Sequence, residues 1–238
     1  MNIRPAVIMM FRDEADIIGR CMEHWHGLGV RDFYLCDNGS KDDSGGIAMD
    51  WLWIGREGGA MINSFSIYEP ATDWPGRRVI NTLKERAIND GCNWLFPADA
   101  DEFLQLPEGM DIEEWIMSLG HTEGWGEMPY LNIMPDGKKN WQEPHRKAFG
   151  VITKEMTISM GNHLVEETPA TIKAHGAYYR HYSMRSYRQF KKKMENYMKA
   201  FNQTKFHDHH HAVDFHLWQA EGEAFLMRRW EALTGLKP

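Results

Sequence analysis

The first hundred residues alternate apolar runs with amphipathic stretches, and this alternation constrains the fold more than any other feature of the chain. Residues 5–11 form a continuous apolar run, the pattern of a strand that helices cover on both faces. Residues 14–28 then repeat their apolar positions at helical spacing, and Gly29 stands where a left-handed helix cap would fall. The pattern predicts a buried strand followed by its crossover helix.

Three more strands and a second helix follow by the same reasoning. We predict strands at 33–36, 60–67 and 94–96. A helix is predicted over 77–90, and the polar turn 37–42 predicts that the chain reverses direction after the second strand. This order predicts an α/β fold with a mainly parallel central sheet, right-handed crossovers and helices on both faces.

Composition narrows the class of protein. The 238 residues are 42% hydrophobic and 26% charged, which is typical of a folded globular protein, and the length favours one domain. A formal net charge of -7 would repel a polyphosphate backbone, so we expect no nucleic-acid partner. The sequence shows neither a signal peptide nor an apolar run of membrane-spanning length, which predicts a cytoplasmic protein. The three cysteines, Cys21, Cys36 and Cys92, lie among apolar residues and are predicted to be reduced core thiols.

Acidic residues follow two of the predicted strands, at 37–42 and at Asp99 and Asp101. Ligands of parallel sheets bind at the carboxyl ends of the strands, so both groups are expected to line one crevice. In extended geometry Asp99 and Asp101 would face the same ligand while Glu102 points elsewhere. Carboxylates suit Mg²⁺ or Mn²⁺, which commonly bind one or two of them together with substrate phosphates. The context favours a cation and nucleoside diphosphate site over a merely solvated turn.

Four ordered motifs extend through the first 105 residues: Arg12-Asp13-Glu14-Ala15, 28–30, 34–42, and 94–96 with 99–103. Together they resemble glycosyltransferase family 2-like and family 92-like enzymes of the GT-A fold, and the likeness returns near His181. Four motifs in sensible order are much more specific than an acidic pair alone.

The resemblance implies a single GT-A domain over 1–206, followed by a C-terminal helical tail over 207–238. Within the domain, 1–106 would bind a UDP- or GDP-sugar, and 107–206 would bind the acceptor, a glycan or lipid-linked glycan. The implied activity is transfer of the sugar to a hydroxyl group with inversion, assisted by Mn²⁺ or Mg²⁺.

The same resemblance assigns roles to single residues. Phe11 and Arg12 would border the nucleotide base, and Asp37 would contact the base or the ribose. The family usually has Asn at the position of Asp13 and Lys at the position of Arg185. The implied donor-binding set is Phe11, Arg12, Glu14, Asp37, Asn38, Arg78, Asn81, Asp99, Ala100, Arg185 and Lys191.

A metal site is implied at Asp99, Asp101 and His181, with Asp101 also expected to be catalytic. In GT-A enzymes a late histidine often completes the metal shell, and His181 is the preferred candidate. A hydrogen-bonded structural histidine is the alternative. His163 is assigned to the acceptor.

The second half of the chain has weaker periodicity. Strands are predicted at 146–152 and 171–182, and irregular loops at 115–144 are expected to shape the acceptor pocket. Trp125 could stack on a sugar or belong to the core, and the sequence leaves both open. Inversion needs a carboxylate as general base, and the residues available for it are Glu127, Glu166 and Glu167.

A capped helix is predicted after His181, because Ser186 and Gln189 have the spacing of a capping box. Its basic face near Lys192 leaves peripheral contact with an anionic membrane open, although a solvated face is the simpler interpretation. The histidine-rich segment 207–211 is interpreted as an adventitious chelator.

Two other functions compete with a glycosyltransferase. A sugar nucleotidyltransferase also uses a parallel sheet and a metal, but it normally needs a Gly-rich basic loop after the first strand, which 11–14 does not provide. A nucleotide-sugar-binding domain without turnover is the alternative from another class, and intact Asp99 and Asp101 argue against it.

Overall fold

A computed structural model describes residues 2–58, 61–67, 76–120, 123–203 and 212–238. The histidine-rich segment 207–211 lies outside these ranges. Within them the strands are β1 (Pro5–Phe11), β2 (Asp32–Asp37), β3 (Met61–Ile67), β4 (Trp94–Pro97), β5 (Glu102–Gln105), β6 (Gly124–Ile133), β7 (Lys139–Val151), β8 (Ile172–Lys173) and β9 (Tyr178–His181). The helices are α1 (Ile18–Gly27), α2 (Ser44–Gly58), α3 (Gly76–Asn89), α4 (Ile112–Leu119), α5 (Tyr187–Gln203), α6 (Ala212–Glu221) and α7 (Glu223–Thr234).

The strands form one mixed sheet in the order β3-β2-β1-β4-β7-β6-β9-β5, with β8 paired to β6. The four strands of the first half are parallel, as the sequence predicts. The second half differs, because β7 is antiparallel to β4 and β9 is antiparallel to β5. The fold class is therefore α/β with a mixed sheet.

The segment after β2 corrects one prediction. The chain does not simply reverse at 37–42, because β2 and β3 are parallel and α2 connects them. Parallel neighbours need a crossover, which is usually a helix. The sequence does not indicate this helix, because Gly45 and Gly46 lie in its first turn and glycine disfavours helices.

The stretch at 115–144 is also more regular than predicted. Helix α4 starts with a complete capping box, in which Glu114 N donates to Asp111 Oδ1 at 2.8 Å and Asp111 N donates to Glu114 Oε2 at 3.0 Å. Strands β6 and β7 occupy most of the remaining stretch. The prediction of irregular loops there is wrong.

Aromatic side chains pack together in the interior of the sheet region. Phe96 of β4 stacks on Phe149 of β7 with ring centroids 6.3 Å apart, and Trp115 of α4 lies 5.4 Å from Phe149. A second buried cluster joins strands β1 and β2 to α3 and includes Trp125. These clusters hold the ends of β1, β2 and β4 in place.

The described residues divide into two compact units, one within 2–67, 76–131 and 141–181 and the other within 132–140 and 182–238. In the second unit Phe190 and Met194 of α5 pack with Phe225, Leu226 and Trp230 of α7. Among the residues described, no helix is both long and apolar enough to cross a membrane.

Candidate metal and nucleotide site

The acidic motif forms a tight turn between β4 and β5. Glu102 N donates to Asp99 O at 3.1 Å, and Asp99 N donates back to the Glu102 Oε2 at 3.0 Å. The motif is therefore not extended, and the alternation expected for Asp99 and Asp101 does not apply. The turn brings Glu102, rather than Asp99, next to Asp101.

Strand pairing then places His181 beside these two carboxylates. Glu102 of β5 lies directly opposite His181 of β9. The His181 Nε2 is 3.6 Å from Asp101 Oδ1, and one potential ligand atom from each of Asp101, Glu102 and His181 lies within 4.8 Å of the others. The predicted ligands Asp101 and His181 thus come together, with Glu102 in the place expected for Asp99.

Lys147 of β7 is the main residue that sequence reasoning missed. Its ammonium lies 2.7 Å from Asp99 Oδ2 and 2.9 Å from Glu102 Oε1, and it donates to Gly161 O at 2.9 Å. Its side chain is only 3% exposed. Strand alternation puts Lys147 on the face of Phe149, which is buried, but no sequence pattern shows its acidic partners.

The electrostatics follow from burial and crowding of charge. Burial raises the pKa of Glu102 to about 8, against the lowering effect of Lys147, and Asp99 and Asp101 raise it further. Burial alone would lower the pKa of Lys147, but Asp99 and Glu102 more than offset this, so its pKa is raised. The ammonium is thus held in its charged form.

Tyr130 of β6 covers the histidine. Its ring meets His181 edge to face, with centroids 5.1 Å apart, and burial raises the pKa of its hydroxyl to about 12. The phenol therefore stays neutral and orients the imidazole by packing.

A strained loop closes the side of the site near Asp99. Asn162 is buried with φ 62°, and its Nδ2 donates to Asp99 Oδ1 at 3.3 Å. Gly161 has φ 79°, and a Cβ there would lie 2.9 Å from the ring of His163. Glycine adopts a positive φ without steric cost, so the strain rests on Asn162. A strained residue of this kind persists where surrounding contacts over-determine it, which is common at functional sites.

The carboxyl ends of β1 and β2 form the other side of the edge. Asp37 is buried and its Oδ1 accepts from Ser40 N at 2.8 Å. Because β1 lies between β2 and β4, Asp37 and Asp99 are two strands apart, about 10 Å. Among the described residues Asn38 Oδ1 and Arg12 Nε are buried without a hydrogen-bond partner, and Arg12 Nε lies 3.9 Å from Asp13 Oδ2. Buried polar atoms are usually hydrogen-bonded, so these two mark an unusual place at this edge.

Some predicted donor residues have structural partners. Phe11 is buried at the end of β1 and Ala100 is buried in the turn between β4 and β5, whereas Arg78 is exposed on α3. Asn81 joins α3 to the segment near Ile158, accepting from Ile158 N at 3.0 Å and donating to Ile158 O at 2.9 Å. Glu14 N donates to Ser44 Oγ at 2.7 Å.

The two donor residues predicted in the second unit make local contacts there. Arg185 Nη1 donates to Tyr182 O at 2.9 Å. Lys191 lies 2.7 Å from Glu223 Oε1 across α5 and α7. The predicted cap is present in part, since Gln189 N donates to Ser186 Oγ at 3.2 Å.

The acceptor-side residues are scattered. Glu166 is paired with Arg77, Glu167 is exposed with φ 60°, and Glu127 is exposed on β6. His163 Nδ1 lies 2.8 Å from Arg146 O. Trp125 is 2% exposed and donates to Thr168 O at 3.0 Å, which is the core position that the sequence left open.

The Asp101, Glu102 and His181 set fits a divalent cation. Two carboxylate oxygens suit Mg²⁺ or Mn²⁺, and an imidazole nitrogen favours Mn²⁺ of the two. Three protein ligands would leave positions for phosphate oxygens. Both carboxylates are buried. They can therefore stay charged side by side only if a positive charge compensates them.

No protein-family model matches the chain, and no curated protein matches it. Among solved structures, the chain is similar to the crystal structure of HddC from Yersinia pseudotuberculosis, with 13% sequence identity and a TM-score of 0.35. The likeness covers 74% of this chain and 76% of that chain. At this TM-score it carries no conclusion about function.

Proposed function

We propose that this protein is a metal-dependent glycosyltransferase of the GT-A type, which transfers a sugar from a UDP- or GDP-sugar to a hydroxyl group of a glycan or lipid-linked glycan. The observation that carries the proposal is the set of buried Asp101 and Glu102 with half-buried His181 at the carboxyl edge of a parallel half-sheet. Nucleotides bind at this edge in related architectures.

Different residues along that edge would bind different parts of the nucleotide. Asn38 Oδ1 and Arg12 Nε have no hydrogen-bond partner among the described residues, although Arg12 Nε lies 3.9 Å from Asp13 Oδ2, and an acceptor and a donor at this edge suit the base and ribose end of a nucleotide. Asp101, Glu102 and His181 would hold Mn²⁺ or Mg²⁺ where the diphosphate ends. The cation would neutralise the negative charge that develops on the diphosphate leaving group. Inversion would need a carboxylate to accept the proton of the acceptor hydroxyl.

Calorimetry with UDP and GDP, with and without Mn²⁺, tests the proposal on wild type and Asp101→Asn. We expect nucleotide binding that depends on Mn²⁺ and falls at least tenfold in the variant. Asp50→Asn is a matched control, because Asp50 is exposed on α2. Mn²⁺-independent binding that is unchanged in Asp101→Asn would overturn the site assignment.

Turnover is tested separately with a panel of nucleotide sugars. Release of nucleoside diphosphate that requires Mn²⁺ supports a transferase. Tight, Mn²⁺-dependent binding without hydrolysis or transfer would instead favour a binding domain.

A further inference from the structure

The carboxylates of the acidic turn occupy two different environments. Asp99 has both oxygens engaged by protein donors, since Oδ2 lies 2.7 Å from Lys147 Nζ and Oδ1 accepts from Asn162 Nδ2. Its side chain is nevertheless 43% exposed, so one edge faces solvent. Glu102 is engaged as well, since Oε1 lies 2.9 Å from Lys147 Nζ and Oε2 accepts from Asp99 N. It differs from Asp99 in position, because Asp101 and Glu102 are buried and group with His181.

We propose that Lys147, which bridges Asp99 and Glu102, is a positioning residue that together with Asn162 holds Asp99 outside the ligand set of the cation and leaves Asp101, Glu102 and His181 to bind it. This inference rests on the proposed function, because it states how that site is shared between a cation and a diphosphate.

Lys147 acts through the carboxylates of Asp99 and Glu102 and not by contacting the cation or the diphosphate. An ammonium has three donors, and its partners here are Asp99, Glu102 and Gly161 O. The side chain is buried among these three groups. All of its hydrogen-bonding capacity is therefore used inside the protein.

The position of this charge matters for an anionic substrate. Three carboxylates, one ammonium and one divalent cation together carry no net charge. A diphosphate that approaches the exposed edge of Asp99 meets a carboxylate whose charge Lys147 balances and to which Asn162 donates a hydrogen bond. Without Lys147 the same edge would present an unbalanced negative charge, which repels a diphosphate.

The first experiment measures Mn²⁺ binding by calorimetry and electron paramagnetic resonance, without nucleotide. We expect Glu102→Gln to lower Mn²⁺ affinity at least tenfold and Asp99→Asn to change it less than threefold. An equal loss in both variants would overturn the proposal, since Asp99 would then be a ligand. Absence of Mn²⁺ binding by the wild type would overturn the proposed function itself, before any variant is compared.

The second experiment measures UDP and GDP binding at saturating Mn²⁺. We expect Lys147→Met to weaken binding about tenfold, and the double variant Lys147→Met with Asp99→Asn to recover to within threefold of wild type. A lysine with only a structural role would give no recovery, and that result would overturn the proposal. If Lys147→Met alone does not fold, the nucleotide affinity of the folded double variant tests the proposal. An affinity near that of wild type supports it, and a tenfold loss overturns it.

Discussion

Glu102 and His181 face each other directly across the antiparallel strands β5 and β9. The same register pairs Leu104 with Tyr179, and both of these side chains are fully buried. Because a slip of one residue would expose this apolar pair and turn the two polar side chains away from Asp101, burial of the strand fixes the geometry of the candidate cation site.

Replacing His181 tests that geometry. We expect His181→Ala to lower Mn²⁺ affinity at least tenfold, because it removes one of three ligands while the carboxylates stay in place. Calorimetry measures the affinity, and near-ultraviolet circular dichroism verifies the fold. His163→Ala is the control, since its Nδ1 contacts Arg146 O, and it should leave Mn²⁺ affinity within threefold of wild type. Equal losses in the two variants would contradict the assignment.

His24 predicts a dependence of stability on pH. This residue of α1 contacts Leu104 O at 2.6 Å, and burial lowers its pKa. The unfolded chain therefore binds a proton more readily than the folded protein, so the free energy of unfolding falls as pH drops below the ordinary histidine range, about 6.5. Urea denaturation between pH 5 and pH 8 measures this decline.

The variant His24→Gln should flatten that decline, because glutamine keeps a polar atom near Leu104 O and does not titrate. His175→Asn is the control, since His175 is exposed, and its φ of 44° suits asparagine. If His175→Asn flattened the pH dependence of the free energy of unfolding as much as His24→Gln, the burial of His24 would not be the cause of that dependence.

Local patterns predicted the parts of the fold that local physics determines. Strand β2 and helix α3 each carry their own periodicity, and both are found within a few residues of their predicted bounds. Helix α2 was missed because Gly45 and Gly46 near its start have poor helix propensity, and its existence follows from the parallel pairing of β2 with β3.

The candidate site was only partly predictable for the same reason. The acidic motif and His181 stand out by residue type, but the turn at Asp99 decides which carboxylates meet, and extended alternation gives the wrong pair. Lys147 is 48 residues from Asp99, and a single sequence carries no signal for such a pairing. Charge networks of this kind depend on tertiary contacts and not on local propensity.

The contact between β6 and β8 predicts a strong effect at one glycine. A Cβ at Gly126 would lie 2.3 Å from Ile172 O and 2.8 Å from the ring of Phe149, and a backbone carbonyl cannot easily move aside. We expect Gly126→Ala to lower the free energy of unfolding by about 3 kcal/mol, measured by urea denaturation. Gly27→Ala is the control, because among the described residues nothing beyond its chain neighbours and its own helix backbone lies within 4 Å of a Cβ there, and it should change stability by less than about 1 kcal/mol. A loss in Gly126→Ala no larger than about 1 kcal/mol would show that the close approach is relieved.

Trp125 gives the sharpest test of whether an aromatic residue of the second half serves the acceptor or the core. Its indole donates to Thr168 O and its ring lies in the cluster that joins β1 and β2 to α3. Trp125→Leu removes both the hydrogen bond and much of the packed volume, so we expect a loss of about 3 kcal/mol in the free energy of unfolding. Nucleotide affinity, measured by calorimetry at saturating Mn²⁺ under conditions where the variant is folded, should stay within threefold of wild type. Unchanged stability together with lost binding of oligosaccharide acceptors would show instead that the ring stacks on a sugar.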